Sequence, residues 1–362
     1  MTTIRPASPT LTGMLPYDPK YLPADTLMSA NESPLDIPEE LHDSISERVG
    51  KLAFDRYPDP LATKLREAIA RHWGVKPANV LCGNGGDELL YDTFIAWGGP
   101  GRKLLTFPPT FSVYETDAVL TGTTVVNLPR EGDDFHIDVD KAVVALSEGD
   151  VDVVVLTSPN NPTGMGVATE DIERILDASD ALVVVDEAYG EFMGRTCLPL
   201  LEGHGNLVIL HTFSKAYRCA GARLGYILAS QDVLAEYKKV RQPYSVDALS
   251  QIVGEEVMTH ADLFQEAIEE TKRERELLVG RLSATPDVVV HPSESNFVLF
   301  HVPYATRVWK GLYERHSVLV RDVSGDPRLP GCLRVTVGTP EENERFLSSL
   351  REVLAEERQG AA

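Results

Sequence analysis

Between residues 80 and 228, short apolar runs alternate with helical or turn segments, and this alternation constrains the chain more than any other feature. The runs lie at Val80 to Cys82, Lys103 to Phe107, Thr124 to Leu128, Val151 to Leu156, Ala181 to Val185, Leu207 to Leu210 and Leu224 to Leu228. Strands and helices in turn predict a largely parallel sheet with helices on both faces. In such sheets ligands bind beyond the carboxyl ends of the strands. With 362 residues, 43% of them hydrophobic, the chain can bury that core and a smaller companion.

Flanking segments complete the outline. Leu61, Leu65, Ile69 and Trp73 have helical spacing ahead of the first run. Residues 1 to about 37 are rich in proline and polar residues, which suggests an arm lying along other structure. Ser250 to Leu282 reads as one long helix or two broken ones. Four short β-like runs follow, at Val288 to His291, Phe297 to His301, Val318 to Arg321 and Leu333 to Val337, with helix-like segments at 304–315 and 341–356. The expected division is an N-terminal arm contributing to the smaller domain (1–40), a large domain (41–245) and a small C-terminal α+β domain (246–362).

A net charge of -21 argues against sequence-independent binding to nucleic acid or to an anionic membrane. No run approaches the ~18 apolar residues of a membrane span. The first twenty residues, with four prolines, lack the apolar stretch of a secretory signal, so the cytoplasm is the expected location. Cys82, Cys197, Cys219 and Cys332 are scattered and the histidines show no H-x-x-x-H or H-x-H pairing, so no metal site is expected.

Three of the runs end in polar clusters. Asn161 lies in Ser158-Pro159-Asn160-Asn161-Pro162-Thr163-Gly164, Asp186 begins Asp186-Glu187-Ala188-Tyr189, and Lys215 lies in a segment from Thr212 to Gly225. A lysine able to form a Schiff base, an acid to hold a pyridine nitrogen protonated, and amide and phenol donors for a ring hydroxyl are what pyridoxal phosphate chemistry requires. Asp186 could instead cap the next helix, and Asn161 could serve a turn beside Pro162. The stretch Gly83-Asn84-Gly85-Gly86-Asp87-Glu88 opens an apolar helical segment, where backbone amides and the helix dipole can receive a phosphate; a plain strand-to-helix turn is the other reading. Ser214 and Arg223 add a hydroxyl and a guanidinium. Phe111 could lie flat on a pyridine ring or pack in the core. Arg321 and Arg334 sit in β-like runs, where an anionic ligand or a structural ion pair would explain each.

Taken together, these motifs resemble the fold type I, class I and II aminotransferases over nearly the whole chain. S-P-N-N-P-T-G, D-E-A-Y, and T-F-S-K-A with A-G-A-R-L-G-Y mark the superfamily. R-Y-P at 56–58, F-P-P-T-F at 107–111 and G-C-L-R-V-T-V-G-T at 331–339 are similar to the histidinol-phosphate branch. The resemblance implies a large domain on a mostly parallel sheet with a smaller α+β domain, and pyridoxal 5'-phosphate as cofactor. Lys215 would bind the cofactor aldehyde, Asp186 would pair with the pyridine nitrogen, and Asn161 and Tyr189 would hold the 3' oxygen. Gly86, Asp87, Ser214 and Arg223 would surround the phosphate, Gly85 and Thr212 would also bind the cofactor, and Phe111 would stack on the ring. It also implies a homodimer in which Tyr57 of one subunit reaches the other's cofactor phosphate. Tyr17, Asn31, Glu32, Arg321 and Arg334 would handle substrates, histidinol phosphate and 2-oxoglutarate. Two departures stand out: Phe111, where the family often has tyrosine, and Ser33 in N-E-S-P, at a variable site. A threonine-phosphate decarboxylase, an aromatic amino acid aminotransferase and a cofactor-sensing regulatory domain are the rival readings.

Overall fold

The computed structural model describes residues 4–14, 16, 18, 20 and 22–360. Among these, the strands are β1 (Thr26–Leu27), β2 (Val80–Asn84), β3 (Lys103–Thr106), β4 (Thr124–Asn127), β5 (Val153–Thr157), β6 (Leu182–Asp186), β7 (Leu207–Thr212), β8 (Leu224–Ala229), β9 (Val289–Val290), β10 (Phe297–His301), β11 (Val318–Leu319), β12 (Arg321–Asp322) and β13 (Cys332–Thr336). The α-helices are α1 (Glu39–Val49), α2 (Thr63–Trp73), α3 (Gly85–Trp97), α4 (Val113–Thr121), α5 (Val139–Ser147), α6 (Thr169–Asp177), α7 (Gly190–Met193), α8 (Gln231–Val240), α9 (Ala248–Thr259), α10 (Gln265–Ser283), α11 (Ala305–His316) and α12 (Pro340–Gly360).

All seven apolar runs become strands of one sheet, in the order β2-β8-β7-β6-β5-β3-β4. β7, β6, β5, β3 and β4 pair in parallel, and β8 is antiparallel to both β2 and β7. Every residue of β5, β6, β7 and β8 is buried, which is why these strands read as continuous apolar runs without alternation. Alternate residues feed opposite faces: Leu207 and Ile209 pack in one apolar cluster, Val208 and Leu210 in another. The helices cover both faces with amphipathic stripes, as in α6, which buries Ile172, Ile175 and Leu176. Side-chain caps begin α5, α8 and α9, where Asp138, Ser230 and Asp247 accept from first-turn amides.

A second sheet, in the order β12-β13-β10-β9, is antiparallel throughout and packs Val298, Phe300, Leu333 and Val335 against Leu312, Phe346 and Leu350. The N-terminal arm joins this unit. β1 pairs with β11 and Met28 sits in its apolar cluster. The run Val318 to Arg321, expected as one strand, is two. Val318 and Leu319 pair with the arm, whereas Arg321 and Asp322 pair with β13, so the segment is divided between two sheets.

The stretch from Ser250 to Leu282 is two helices with a 3-10 turn between them. Val257 and Met258 of α9 pack in the core of the large sheet, together with Phe264 and Ile268, while Leu278 and Leu282 of α10 pack with the small sheet. Packing therefore changes hands within α10 and not at residue 245. The sequence shows no breaker there because a single continuous helix serves both cores. Among the described residues no helix is long and apolar enough to cross a membrane.

Candidate active site

Strand register places the polar clusters along one edge. Thr157 pairs with Asp186, Thr212 with Gly225, and Asn84 with Leu224, so the ends of β5, β6, β7 and β2 and the start of β8 all meet there. A cavity of about 510 Å³ opens at this edge. Lys215 reaches it three residues beyond β7, and Asn161 reaches it from the turn after β5. Asp186 does not cap the next helix: its Oδ1 accepts from the Ala188 amide at 2.9 Å, ahead of α7, whose start has no side-chain cap, and the carboxyl lines the cavity.

Burial governs the ionisation of the two central groups. Asp186 is 5% exposed, and desolvation pushes its carboxyl up to about 6 against hydrogen bonds from Tyr114 and the Ala188 amide. Desolvation, with Arg334 adding to it and Glu32 opposing it, brings the Lys215 ammonium down to about 8. Its Nζ donates to the Ala30 carbonyl at 2.8 Å and lies 5.9 Å from the centre of the Tyr189 ring. The hydroxyl of Tyr189 accepts from Asn31 Nδ2 at 3.0 Å.

One end of the cavity is built for an anion. The α3 N-terminus, with Gly86 and Asp87 in its first turn, faces Ser214 and Arg223 there. Gly85 has φ +74° beside the Arg223 guanidinium, and a Cβ on Gly225 would lie 2.6 Å from the Gly86 nitrogen, so only glycine lets β8 close on the start of α3. Arg223 pairs with Asp87 at 2.9 Å, and Thr212 Oγ1 donates to Ser214 Oγ at 3.0 Å. Phe111 lines the cavity, edge-on to Tyr114 with ring centres 5.6 Å apart.

The opposite rim comes from distant parts of the chain. Arg334, in β13, donates to Asn161 Oδ1 at 2.5 Å and to the Ser29 carbonyl at 2.6 Å, both neutral acceptors. Arg321 donates to the Asp18 carbonyl at 3.1 Å, and Glu32 lines the same rim. Asn31 is 1% exposed, with φ +56°, and its amide N–H donates to Thr336 Oγ1 at 3.0 Å. Tyr57 does not line this cavity; it is 80% exposed and stacks on Tyr244 with ring centres 4.5 Å apart. Tyr17 lies outside the described residues.

With this geometry in place, residues 24–350 match the family model for aminotransferase class I and II. The chain is a class I and II aminotransferase. It is 42% identical over 341 residues to histidinol-phosphate aminotransferase 1 of Carboxydothermus hydrogenoformans, covering 94% of this chain and 96% of that one. It is 38% identical over 331 residues to the histidinol-phosphate aminotransferase of Chlorobaculum tepidum, covering 91% and 94%. Among solved structures it is similar to the histidinol-phosphate aminotransferase of Sinorhizobium meliloti in complex with pyridoxal-5'-phosphate (TM-score 0.89, 24% identity, 98% and 99% covered) and to L-threonine-O-3-phosphate decarboxylase from Porphyromonas gingivalis (TM-score 0.80, 26% identity, 91% and 99% covered). The fold type I expectation, drawn from sequence motifs, holds for this aminotransferase.

Parts of the aminotransferase site have no sequence motif. Tyr114 donates to Asp186 Oδ2 at 2.6 Å, and its only sequence signal is its position three residues after Phe111. The Ala30 and Ser29 carbonyls bind Lys215 and Arg334 through the backbone, which residue identity does not report.

Proposed function

We propose that this aminotransferase uses pyridoxal 5'-phosphate to transfer the amino group of L-histidinol phosphate to 2-oxoglutarate, giving imidazole acetol phosphate and glutamate in histidine biosynthesis. The observation that carries this reading is a single cavity that joins a weakened lysine ammonium, a buried carboxylate and three arginines. The residues fit the cofactor: Asp186 is held by two neutral donors in a site where its charge is costly, and a pyridinium opposite would relieve that cost. The helix terminus with Ser214 and Arg223 would hold the phosphate, assisted by Gly85, Gly86, Asp87 and Thr212.

When bound, pyridoxal phosphate supplies an electron sink for charge left on the substrate α carbon. The chain's own groups do the rest. Lys215, with its basicity lowered toward neutral pH, would take the α proton at Nζ and deliver a proton to the cofactor's C4' carbon. Asp186 would keep the ring nitrogen protonated, Asn161 and Tyr189 would hold the 3' oxygen, and Phe111 would cover the ring face. Histidinol phosphate has no carboxylate, so Arg334 and Arg321 would take the donor's phosphate in one half-reaction and a carboxylate of 2-oxoglutarate in the other. Tyr17, Asn31 and Glu32 complete the substrate side.

The working unit in this reading is a cytoplasmic homodimer in which exposed Tyr57 reaches the partner's cofactor phosphate. The arm and the small sheet together form the smaller domain, with the division from the large one inside α10. A half-reaction tests the proposal: holoprotein is mixed with L-histidinol phosphate and its visible absorbance is followed. Conversion to pyridoxamine phosphate, reversed by 2-oxoglutarate, supports it. Prompt conversion with tyrosine or phenylalanine alone moves the chain to the aromatic branch. Carbon dioxide released from L-threonine-O-3-phosphate makes it a lyase, the reading favoured by the likeness to the Porphyromonas gingivalis decarboxylase.

A further inference from the structure

Tyr114 is fully buried, and its hydroxyl meets two groups: Asp186 Oδ2 at 2.6 Å and Thr157 Oγ1 at 2.7 Å. A phenol has one proton and a carboxylate can only accept, so Tyr114 donates to Asp186 and Thr157 must donate to Tyr114. The bonds form a directed relay, Thr157 to Tyr114 to Asp186, inside a dry part of the sheet edge. A donor that is itself receiving a hydrogen bond is polarised and donates more strongly. Burial and the neighbouring Asp186 charge hold the Tyr114 phenol well above its ordinary range, so it stays a donor throughout the working pH range. The edge-on Phe111 ring limits where the phenol can turn.

We propose that Tyr114 is a positioning residue for the cofactor, whose hydroxyl keeps Asp186 ionised and so keeps the proton shared between Asp186 and the pyridine nitrogen on the nitrogen. This rests on the pyridoxal phosphate reading above. A proton between two bases resides on the stronger one. Burial strengthens Asp186 as a base, and among the forces opposing burial the Tyr114 bond comes first, ahead of the Ala188 amide. Without the hydroxyl the carboxyl competes for the proton, the ring becomes neutral, and its pull on electrons falls. Other charged groups act on the same pair: Asp87 from α3 raises the Asp186 pKa, His211 from β7 lowers it, and Arg334, Glu32, Asp87 and Arg223 act on Lys215. None of them is removed by changing the phenol to a phenyl ring.

The test is the pH dependence of the visible band of the bound cofactor in wild-type holoprotein and in Tyr114→Phe. A neutral ring withdraws less charge from the Lys215 nitrogen, which then keeps its proton to higher pH. The midpoint is expected to rise by about one unit. Both proteins are then reconstituted with N-methyl pyridoxal phosphate, whose ring nitrogen is permanently charged, and the difference between them should vanish. An unchanged midpoint with the natural cofactor overturns the proposal, as does a difference that persists with the methylated one, since Tyr114 would then act by packing. If Tyr114→Phe does not fold, Thr157→Val leaves the phenol and removes the proton that polarises it; a smaller shift in the same direction is expected, and no shift overturns the relay. A wild-type protein that shows no visible band with pyridoxal phosphate would instead sink the cofactor reading and this inference with it.

Discussion

The floor and the rim of the cavity are built in opposite ways. The floor takes its groups from successive strand ends of one sheet: Asp186 closes β6, Lys215 follows β7, and Asn161 follows β5. Loss of water is the largest influence on the ionisation of Asp186 and Lys215. The rim is assembled from the arm and the small sheet, and Arg334 reaches Ser29 across 305 positions of sequence. The difference teaches that reaction chemistry sits where topology guarantees adjacency. In the proposed reading, substrate choice falls to the rim, where two separately packed units meet and residues can vary without disturbing the strands.

Breaking the floor should have the largest effect. Lys215→Ala is expected to lower the half-reaction rate with every donor by about 10⁴-fold and to abolish the visible absorbance of the bound cofactor. Single-turnover absorbance measurements check both, and residual transamination near the wild-type rate would sink the proposed role.

Damage to the rim should be smaller and of another kind. Arg334→Ala removes a charged donor, so kcat/KM is expected to fall roughly 100-fold for both histidinol phosphate and 2-oxoglutarate. Steady-state kinetics with each substrate varied in turn would show it. A loss confined to one substrate would break the idea of a shared anion site.

Asn31 sharpens the comparison, since it belongs to the rim by sequence and touches the floor through Tyr189. Asn31→Ala should lower activity about 10-fold and stability by about 1–3 kcal/mol, because the Asn31 side chain accepts from Thr336 Oγ1 and donates to the Tyr189 hydroxyl, and both buried bonds are lost. Activity assays and thermal unfolding of the same preparation separate the two effects. A variant with normal unfolding and altered visible absorbance would place Asn31 with the floor.

The smallest effect expected is a pH profile. Lys215 must be neutral to attack an aldehyde, and burial brings its pKa from 10.5 to about 8. The rate at which cofactor-free protein captures pyridoxal phosphate should therefore rise as pH increases through about 8 and level off above it. Stopped-flow absorbance at constant ionic strength checks this. A midpoint near 10.5 would mean that the pocket leaves the amine as basic as in water.

By itself, the sequence determined the large sheet, its strands and the three clusters at their ends, because a buried parallel strand must be apolar throughout and its ligand-facing residues must follow directly in the chain. Lys215, Asp186 and Asn161 were legible for that reason. Tertiary structure decided what these groups touch. Tyr114 on Asp186, the Ala30 carbonyl on Lys215 and the Ser29 carbonyl on Arg334 join segments far apart in sequence, two of them through backbone atoms common to all residues. It also decided that α10 bridges the two cores and that the run from Val318 to Arg321 is divided between two sheets. Both depend on which surfaces the two cores and the arm bury, and no local pattern in the sequence carries that information.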